Sequence, residues 1–285
     1  MNAGAHLSIG GLHVALTGGD TLRRAAALPG MAVFRTGDSG RVDMRLALDQ
    51  AAETVECRWL SHFPLADGAC ECRQGVDAAG ALHYRFSSGC EVVWHPDRPD
   101  LVELGPCADM AILRFVLWTA YGLAALPLGA VPVHASTVVC DGRAVLCLGE
   151  SGTGKSTHTR LWLQHIEGSR LLNDDSPILR VEADSVAAYG SPWSGKTPCY
   201  RQERFPVAAL LRLRQAPHNS IERLRVLQSF AALQPSCPPE MMHFGPTQDM
   251  LVDFVGRVIE RVPVYRMDCL PDADAARVSH NAIFH

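Results

Sequence analysis

Residues 144–156 read A-V-L-C-L-G-E-S-G-T-G-K-S, and this stretch decides how the rest of the chain is interpreted. The apolar residues 144–148 predict a buried strand, and residues 149–156 match the pattern G-x-x-x-x-G-K-[S/T] without deviation. Residues 157–166, which follow, have the composition of a helix. A glycine-rich turn between a strand and a helix lets backbone N–H groups and the helix N-terminus face an anion. The sequence therefore predicts a phosphate-binding loop of the kind that binds nucleotides.

The side chains of this loop predict which ligands it holds. Lys155 is expected to neutralise the β and γ phosphates of ATP, and Ser156 is expected to offer its hydroxyl to Mg²⁺. An ordinary glycine-rich turn is the alternative interpretation. The predicted nucleotide-binding residues are Gly149, Glu150, Ser151, Gly152, Thr153, Gly154, Lys155, Ser156 and Thr157.

A pair of acids closes the next apolar stretch, Leu171-Leu172-Asn173-Asp174-Asp175. Near a phosphate-binding loop, one carboxylate can hold Mg²⁺ while the other accepts a proton from the attacking hydroxyl. Adjacent residues of a strand point to opposite faces, so the sequence does not decide which acid has which role. The alternative is a solvated turn whose polar side chains cap the backbone.

His134 lies ahead of an Asp141-Gly142 hairpin turn. The hairpin returns the chain, so that the strand containing His134 is expected to pair with the strand that leads into the loop. This pairing would place His134 close to the phosphates. A lone histidine in an apolar strand is, however, more often a core residue.

Residues 190–204 form a second unusual stretch, long, punctuated by glycine and proline, and rich in cations. Long loops of this kind are often functional. Lys196, Arg201 and Arg204 are candidates for steadying a transferred phosphoryl group, with Lys196 and Arg201 as substrate contacts. Solvated surface charges are the alternative.

Together, the histidine, the Asp-Gly hairpin, G-E-S-G-T-G-K-S and the N-D-D strand end resemble the C-terminal domain of HPr kinase/phosphorylase. That family uses ATP to phosphorylate a serine of the protein HPr and is related in fold to phosphoenolpyruvate carboxykinase. The resemblance covers residues 126–270 or so. The longer string that runs through residues 157–162 and 191–197 is closer to bacterial HPr-kinase-like proteins and to serine kinases that modify peptide natural-product precursors.

The resemblance implies a role for particular residues. Asp174 would be the general base, Asp175 a Mg²⁺ ligand beside Ser156, and His134 a catalytic neighbour of the phosphates.

Two departures from the family pattern accompany these matches. Ala135 stands where the family has a glycine, and Gln202-Glu203-Arg204-Phe205 stands where it has E-x-R-G. Glu203 is then the counterpart of a metal-binding residue, and Arg204 that of a catalytic one. The departures weaken the case for HPr as the substrate and for phosphorolysis.

The fold predicted from these patterns is α/β, a P-loop kinase core of the HPr kinase C-terminal type with a small antiparallel β-rich N-terminal domain. The predicted domains are residues 1–105 (β-rich), 106–125 (a connecting helix, with 110–124 helical) and 126–285 (the kinase-like domain). Five short β-like runs separated by turns support the first of these, namely 12–16, 42–46, 54–59, 82–86 and 91–94.

Composition narrows the function classes. Hydrophobic residues make up 47% and charged residues 20%, which excludes a disordered chain. A net charge of −4 argues against nucleic acid as a partner. Ten scattered cysteines suit a reducing, cytoplasmic setting. Residues 115–133 carry no formal charge, but glycine and proline interrupt them, so a core helix is predicted and no membrane association.

The predicted function is transfer of the γ-phosphoryl group of ATP to an alcohol, either a serine of a peptide or protein or a small molecule, which would be the partner. One alternative is a P-loop ATPase or GTPase, which needs a later apolar strand ending in an acid. Residues 250–253 end in Asp253, but apolar residues around them recur at helical spacing. The other alternative is a nucleotide sensor without turnover. Whether the chain forms a homo-oligomer stays open.

Overall fold

The computed structural model describes residues 3–38, 40–50, 55–65, 68 and 70–285, and the chain divides into two compact units. The first, here the N-terminal unit, comprises Met1–Ala130 and Glu240–Leu251. The second, here the P-loop unit, comprises Val131–Pro239 and Val252–His285. Each unit combines helices with a large sheet, so the chain is a mixed α/β protein.

The N-terminal unit is built on one nine-stranded sheet. Its elements are β1 (Ala3–Ile9), β2 (Leu12–Gly18), α1 (Asp20–Ala27), β3 (Arg35–Thr36), β4 (Met44–Ala47), β5 (Cys57–Leu65), β6 (Cys70–Asp77), β7 (Leu82–Phe86), β8 (Glu91–Trp94), β9 (Leu101–Leu104) and α2 (Met110–Ala125). The strand order is β3-β1-β2-β4-β9-β8-β7-β6-β5. The β2/β4 and β4/β9 pairs are parallel, and the other neighbours are antiparallel.

Helix α2 packs against β4, β8 and β9. It begins at Met110 because the Asp109 carboxylate accepts hydrogen bonds from the backbone N–H groups of Ala111 and Ile112, at 2.8 and 3.2 Å. The span Met110–Leu128 is long and apolar enough to cross a bilayer, and 67% of it is buried within the structure. Its buried side chains make α2 a core helix of this unit.

The prediction of a small, antiparallel N-terminal sheet was wrong in extent and in strand direction. The runs predicted at 82–86 and 91–94 are β7 and β8, and those at 12–16 and 42–46 overlap β2 and β4. No run was predicted at β1, β3, β6 or β9. Parallel pairing of β2 with β4 requires a crossover, and the chain between them, which contains α1, provides it. The predicted run 54–59 falls partly outside the described residues.

The P-loop unit contains a second sheet of nine strands. Its elements are β10 (Ala130–Pro132), β11 (Ala135–Cys140), β12 (Arg143–Leu148), α3 (Lys155–His165), β13 (Arg170–Asp175), β14 (Ile178–Val181), β15 (Val186–Tyr189), β16 (Arg204–Gln215), β17 (Ser220–Arg223), α4 (Val226–Leu233), α5 (Gly245–Arg261, which begins in the segment assigned to the N-terminal unit), β18 (Val264–Cys269) and α6 (Ala273–Phe284). The order is β10-β14-β15-β16-β12-β11-β13, with β18 paired to β16 and β17 to β18.

The parallel strands of the P-loop unit determine where a ligand can bind. β12 runs parallel to β16, and β16 runs parallel to β18. Ligands of α/β proteins bind at the carboxyl ends of such strands, and the glycine-rich loop leaves the carboxyl end of β12 to enter α3. Helices α3 and α6 pack together, with Trp162 of α3 fully buried in the core of the unit.

Candidate nucleotide-binding site

The backbone of the glycine-rich loop, residues 149–154, adopts conformations that residues other than glycine rarely reach. Gly149, Gly152 and Gly154 have φ angles of 155°, 81° and 106°. A Cβ atom on Gly149 would also come within 3.0 Å of the Thr153 side chain. Thr153 in turn donates its hydroxyl hydrogen to the Glu150 carbonyl at 2.6 Å. The loop is thus a tight turn that ends at the N-terminus of α3, where the first backbone N–H groups have no partner within the helix.

Lys155, the first residue of α3, is buried and folds back onto the loop. Its ammonium donates hydrogen bonds to the carbonyls of Gly149 and Glu150, at 2.8 and 3.0 Å. The same nitrogen lies 2.8 Å from Nε2 of His134. Burial lowers the pKa of Lys155, while the carboxylate of Asp175 raises it. The loop therefore carries its cation within reach of its own backbone.

The two acids at the end of β13 face different partners. Asp174 is buried and accepts a hydrogen bond from the Ser156 hydroxyl at 2.8 Å. Asp175 has 36% of its side chain exposed, and its carboxylate lies 3.3 Å from Nδ1 of His134. The φ angle of 142° at Asp175 is strained for a residue with a side chain, and such strain concentrates at functional sites. The structure thus brings Asp174 to the loop serine and Asp175 to the histidine.

His134 joins the loop lysine to the second acid. It lies in the short link between β10 and β11, not within a strand as predicted, and 44% of its side chain is exposed. Its backbone N–H donates to the Ser236 carbonyl at 2.6 Å, which fixes the link. Lys155, His134 and Asp175 therefore form a continuous line of polar contacts along the loop.

Asn173 organises the segment that follows β15, whereas only a capping role was predicted for it from the sequence. Its buried amide nitrogen lies 3.1 Å from the Trp193 carbonyl and 3.5 Å from the Cys199 carbonyl. Its amide oxygen accepts a hydrogen bond from the Ser176 N–H at 2.8 Å. One amide thus ties residues 191–199 to the strand that carries the acids. The only sequence signal was its place directly before two acids.

The same segment contacts the acid pair through its backbone. The Gly195 N–H donates to the Asp174 carbonyl. A Cβ atom on Gly195 would lie 2.8 Å from that carbonyl oxygen, so the close approach requires glycine. Lys196, the next residue, is exposed. The segment therefore places one of the predicted substrate contacts beside the acids.

The remaining predicted residues have other partners. Arg204 pairs with Glu182, and this hydrogen bond lowers the pKa of Glu182 to about 2. Glu203 pairs with Arg170. Arg201 interacts with the Cys199 thiol. The contacts of the described residues thus attach these three side chains to groups other than the loop, His134 and the acid pair.

Two cavities flank the glycine-rich loop. One, of about 580 Å³, is lined by residues 152–154, by Thr157 and His158 of α3, and by residues after β16 and β18. The other, of about 530 Å³, is lined by residues 150–153 together with Arg212, Arg214 and Arg266. Both volumes fall in the range of about 300–1,000 Å³ that is typical of small-molecule pockets.

His158 is a polar group of the larger cavity. Burial lowers its pKa to about 4, so the ring is neutral at physiological pH. Its Nε2 lies 3.0 Å from the Ser279 hydroxyl, whereas its buried Nδ1 has no hydrogen-bond partner among the described residues. An unsatisfied buried nitrogen is costly, and this one lies on a residue that lines the cavity.

Comparison with known proteins adds little to this geometry. No family model matches the chain, and no curated protein matches it. Among solved structures, the HPr(Ser) kinase/phosphatase from Coxiella burnetii aligns with 53% of this chain and 95% of its own, at 15% identity and a TM-score of 0.30. At this TM-score the similarity is at most to a distant kinase-like fold.

Proposed function

We propose that this chain is an ATP-dependent phosphotransferase that moves the γ-phosphoryl group of ATP to an alcohol, either a serine of a peptide or protein or a small molecule. The observation that carries the proposal is the 2.8 Å hydrogen bond between the Ser156 hydroxyl and the Asp174 carboxylate. It unites the serine of the phosphate-binding motif with a strand-end acid. An ordinary glycine-rich turn has no need of this convergence.

Ser156 and Asp174 fit a magnesium ion by their chemistry. A hydroxyl and a carboxylate are hard oxygen donors, and Mg²⁺ takes a few such ligands while keeping several waters. When bound, the ion would offset the negative charge of the phosphates. Lys155 would supply the other positive charge, since its ammonium already lies against the loop.

We assign the general base to Asp175 and the metal to Asp174, the reverse of what the family resemblance implies. A base must reach the acceptor hydroxyl, and Asp175 is the more exposed of the two acids. His134, 3.3 Å away, would orient its carboxylate. Asp174 is buried and bonded to Ser156, which suits a side chain that coordinates a metal ion at the loop.

The nucleoside and the acceptor are assigned to separate regions. The 580 Å³ cavity lined by residues 152–154 and by Thr157 would hold the nucleoside. Lys196, exposed beside the acids, would contact the acceptor. Glu203 and Arg204 are left out of this assignment because each is already neutralised by an ion pair.

Nucleotide binding is tested by calorimetry with Mg²⁺ and ATP. Lys155→Ala should weaken binding at least about tenfold, which corresponds to about 1.4 kcal/mol. Asp174→Asn should raise the Mg²⁺ concentration required, because a neutral amide is a poorer ligand for a hard cation. Unchanged affinity in Lys155→Ala would overturn the assignment of the loop.

Transfer is tested by incubating the protein with γ-³²P-labelled ATP and a panel of serine peptides and small alcohols. Label on an acceptor supports the kinase. Release of inorganic phosphate with every acceptor omitted, and no labelled acceptor in the panel, would instead indicate an ATPase. Tight binding without either product would indicate a sensor.

A further inference from the structure

Three side chains outside the candidate nucleotide site bring sulfur, oxygen and nitrogen donors together. Cys140 is the last residue of β11, Asp141 follows it in the hairpin turn, and His280 lies on α6. Their ligand atoms all lie within 4.8 Å of one another. In the part of the chain that the structure describes, no other group of three such donors is this compact.

The hairpin fixes two of the three donors. The turn between β11 and β12 has only two residues, Asp141 and Gly142, with φ angles of 49° and 70°. Such a turn needs positive φ at both positions, which favours Asp followed by Gly. Cys140 and Arg143, which flank this turn, are paired with each other and close the hairpin. The thiol and the carboxylate are therefore held side by side by the backbone.

Aromatic packing fixes the third donor. The His280 ring stacks on Phe284 at a centroid distance of 5.1 Å and meets the edge of Trp162 at 5.5 Å. Trp162 is itself held, because its indole N–H donates to the Ser279 hydroxyl at 2.9 Å. The imidazole is thus packed against aromatic side chains of α3 and α6 while its ring lies near the hairpin, and a metal ligand needs such support from packing.

The surroundings of the thiol contain an unsatisfied donor. The buried Ser169 hydroxyl has no hydrogen-bond partner that meets normal geometry among the described residues, and it interacts with the Cys140 sulfur. The sulfur also makes a long contact, 4.0 Å, with the Glu167 carbonyl. A thiolate at Cys140 would accept the serine hydrogen. Hydrogen bonds of this kind around a ligand atom orient and tune metal sites.

We propose that Cys140, Asp141 and His280 bind a thiophilic divalent cation of the zinc class, with a fourth coordination position open to solvent. Thiolate and imidazole select zinc-like ions, whereas magnesium prefers sites made of oxygen alone. Ligand atoms around tetrahedral zinc lie about 3.5 Å apart, so the three donors would move together by about 1 Å. Asp141 is exposed, which allows that movement and gives the ion a path from solvent. On binding, the Cys140 thiol loses its proton to solvent and becomes the thiolate ligand.

The site is tested with Co²⁺ as a spectroscopic probe on the full-length, reduced protein without nucleotide. Co²⁺ bound by a thiolate gives a near-ultraviolet charge-transfer band, and Zn²⁺ should abolish that band by competition. An ion held by Ser156 and Asp174 gives no such band because those residues offer no sulfur. Absence of the band in the wild-type protein would overturn the proposal.

Variants identify the ligands. Cys140→Ser and His280→Gln should remove the charge-transfer band, or the part of it that comes from tightly bound Co²⁺. Cys269→Ser and His165→Gln are matched controls in the same unit and should keep the band. Survival of the band in Cys140→Ser would overturn the assignment. Because Cys140 is buried and its variant is at risk of misfolding, Asp141→Asn in the exposed turn provides a second test. It should weaken Co²⁺ binding about tenfold or more without changing the circular dichroism spectrum.

Discussion

Two histidines, one in each unit, lie between charged side chains, but they differ in exposure and in the charges of those neighbours. His83 of β7 is only 3% exposed, and its Nδ1 and Nε2 lie 2.9 Å and 3.0 Å from the carboxylates of Glu91 and Asp77. His134 of the P-loop unit has 44% of its side chain exposed, and it faces the Lys155 ammonium on one side and the Asp175 carboxylate on the other. Because the ammonium donates to Nε2, a neutral ring carries its hydrogen on Nδ1, the nitrogen that lies 3.3 Å from the Asp175 carboxylate.

The difference separates a histidine enclosed by its own network from one whose ring is partly open to solvent. Burial lowers the pKa of His83, but its hydrogen bonds to Glu91 and Asp77 more than offset this, and its pKa is raised overall. Arg85 also binds Glu91, at 2.7 Å, so every charge in that group has a partner inside the fold. Such a closed network stabilises the fold. The His134 side chain is 44% exposed and lies beside the glycine-rich loop, so under the proposed function a ligand could replace its contacts.

The largest expected effect is on Asp175. Asp175→Asn keeps the size of the side chain but cannot accept a proton, so transfer to an alcohol should fall by about 100-fold or more while ATP still binds. Single-turnover ³²P transfer measures the first and calorimetry the second. His83→Gln, in the N-terminal unit, should leave transfer unchanged. Equal transfer rates in Asp175→Asn and the wild type would remove Asp175 from the mechanism.

The second prediction concerns the stability supplied by His83. Because hydrogen bonds between charged groups contribute about 1.5–3 kcal/mol each, His83→Gln should lower the free energy of unfolding by about 2 kcal/mol near pH 6. Since the folded-state pKa of His83 is raised, this contribution is complete below its unfolded pKa of about 6.5 and is lost as the pH rises through the folded value.

Urea denaturation of wild type and His83→Gln over about pH 6 to pH 9 gives the measurement. The gap between the two proteins should narrow as the pH rises. The acids of the network act in the opposite sense: the pKa values of Asp77 and Glu91 are lowered, so their contribution is lost as the pH falls through their folded values. A gap that widens with rising pH would contradict the closed network.

The third prediction sharpens the role of His134. His134→Gln can still donate a hydrogen bond but is shorter and less rigid than imidazole, so Asp175 would lose its orienting partner. Transfer should fall by about tenfold, equivalent to about 1.4 kcal/mol, with little change in ATP affinity. A variant that loses ATP binding and transfer equally would show that the histidine acts on the nucleotide instead.

The smallest effect is expected from Gly195→Ala. The added methyl would lie 2.8 Å from the Asp174 carbonyl oxygen and 3.1 Å from Cβ of Asp175, so the segment must shift. Such overpacking costs about 1 kcal/mol or more of unfolding free energy and should lower transfer. Gly245→Ala is the control, because its methyl would meet no atom within 4 Å. Thermal unfolding of the two variants in parallel distinguishes a specific clash from the general effect of replacing glycine.

The sequence predicted the P-loop unit better than the N-terminal one, for a physical reason. The strand and helix around the glycine-rich loop appear as β12 and α3 because a run of apolar residues, glycines and then helix formers is unambiguous locally. β6 was not predicted because it alternates cysteines with charged residues. The parallel pairs were not predicted because they depend on crossovers that no local sequence pattern records.

The candidate site likewise has parts that contiguous sequence motifs predicted and parts that depend on contacts between distant residues. The loop and the acid pair were visible as contiguous motifs, and the structure brings both to one place. The roles of the two acids were not visible, because strand direction alone does not say which face meets the loop. Glu203 was chosen by resemblance, and Arg204 by its cation-rich segment and by resemblance. Their ion pairs with Arg170 and Glu182 are contacts between residues distant in sequence.

In the segment proposed to contact the acceptor, Asn173 separates the residues that anchor the backbone from those that are exposed. Since one buried amide anchors the segment at Trp193 and Cys199, the exposed residues between those anchors are free of that duty. Residues 196–198 can then be exchanged for other side chains while the acids keep their places. If Lys196 contacts the acceptor as proposed, a library confined to those three positions should alter the choice of acceptor, whereas Asn173→Ala should lower transfer to every acceptor offered.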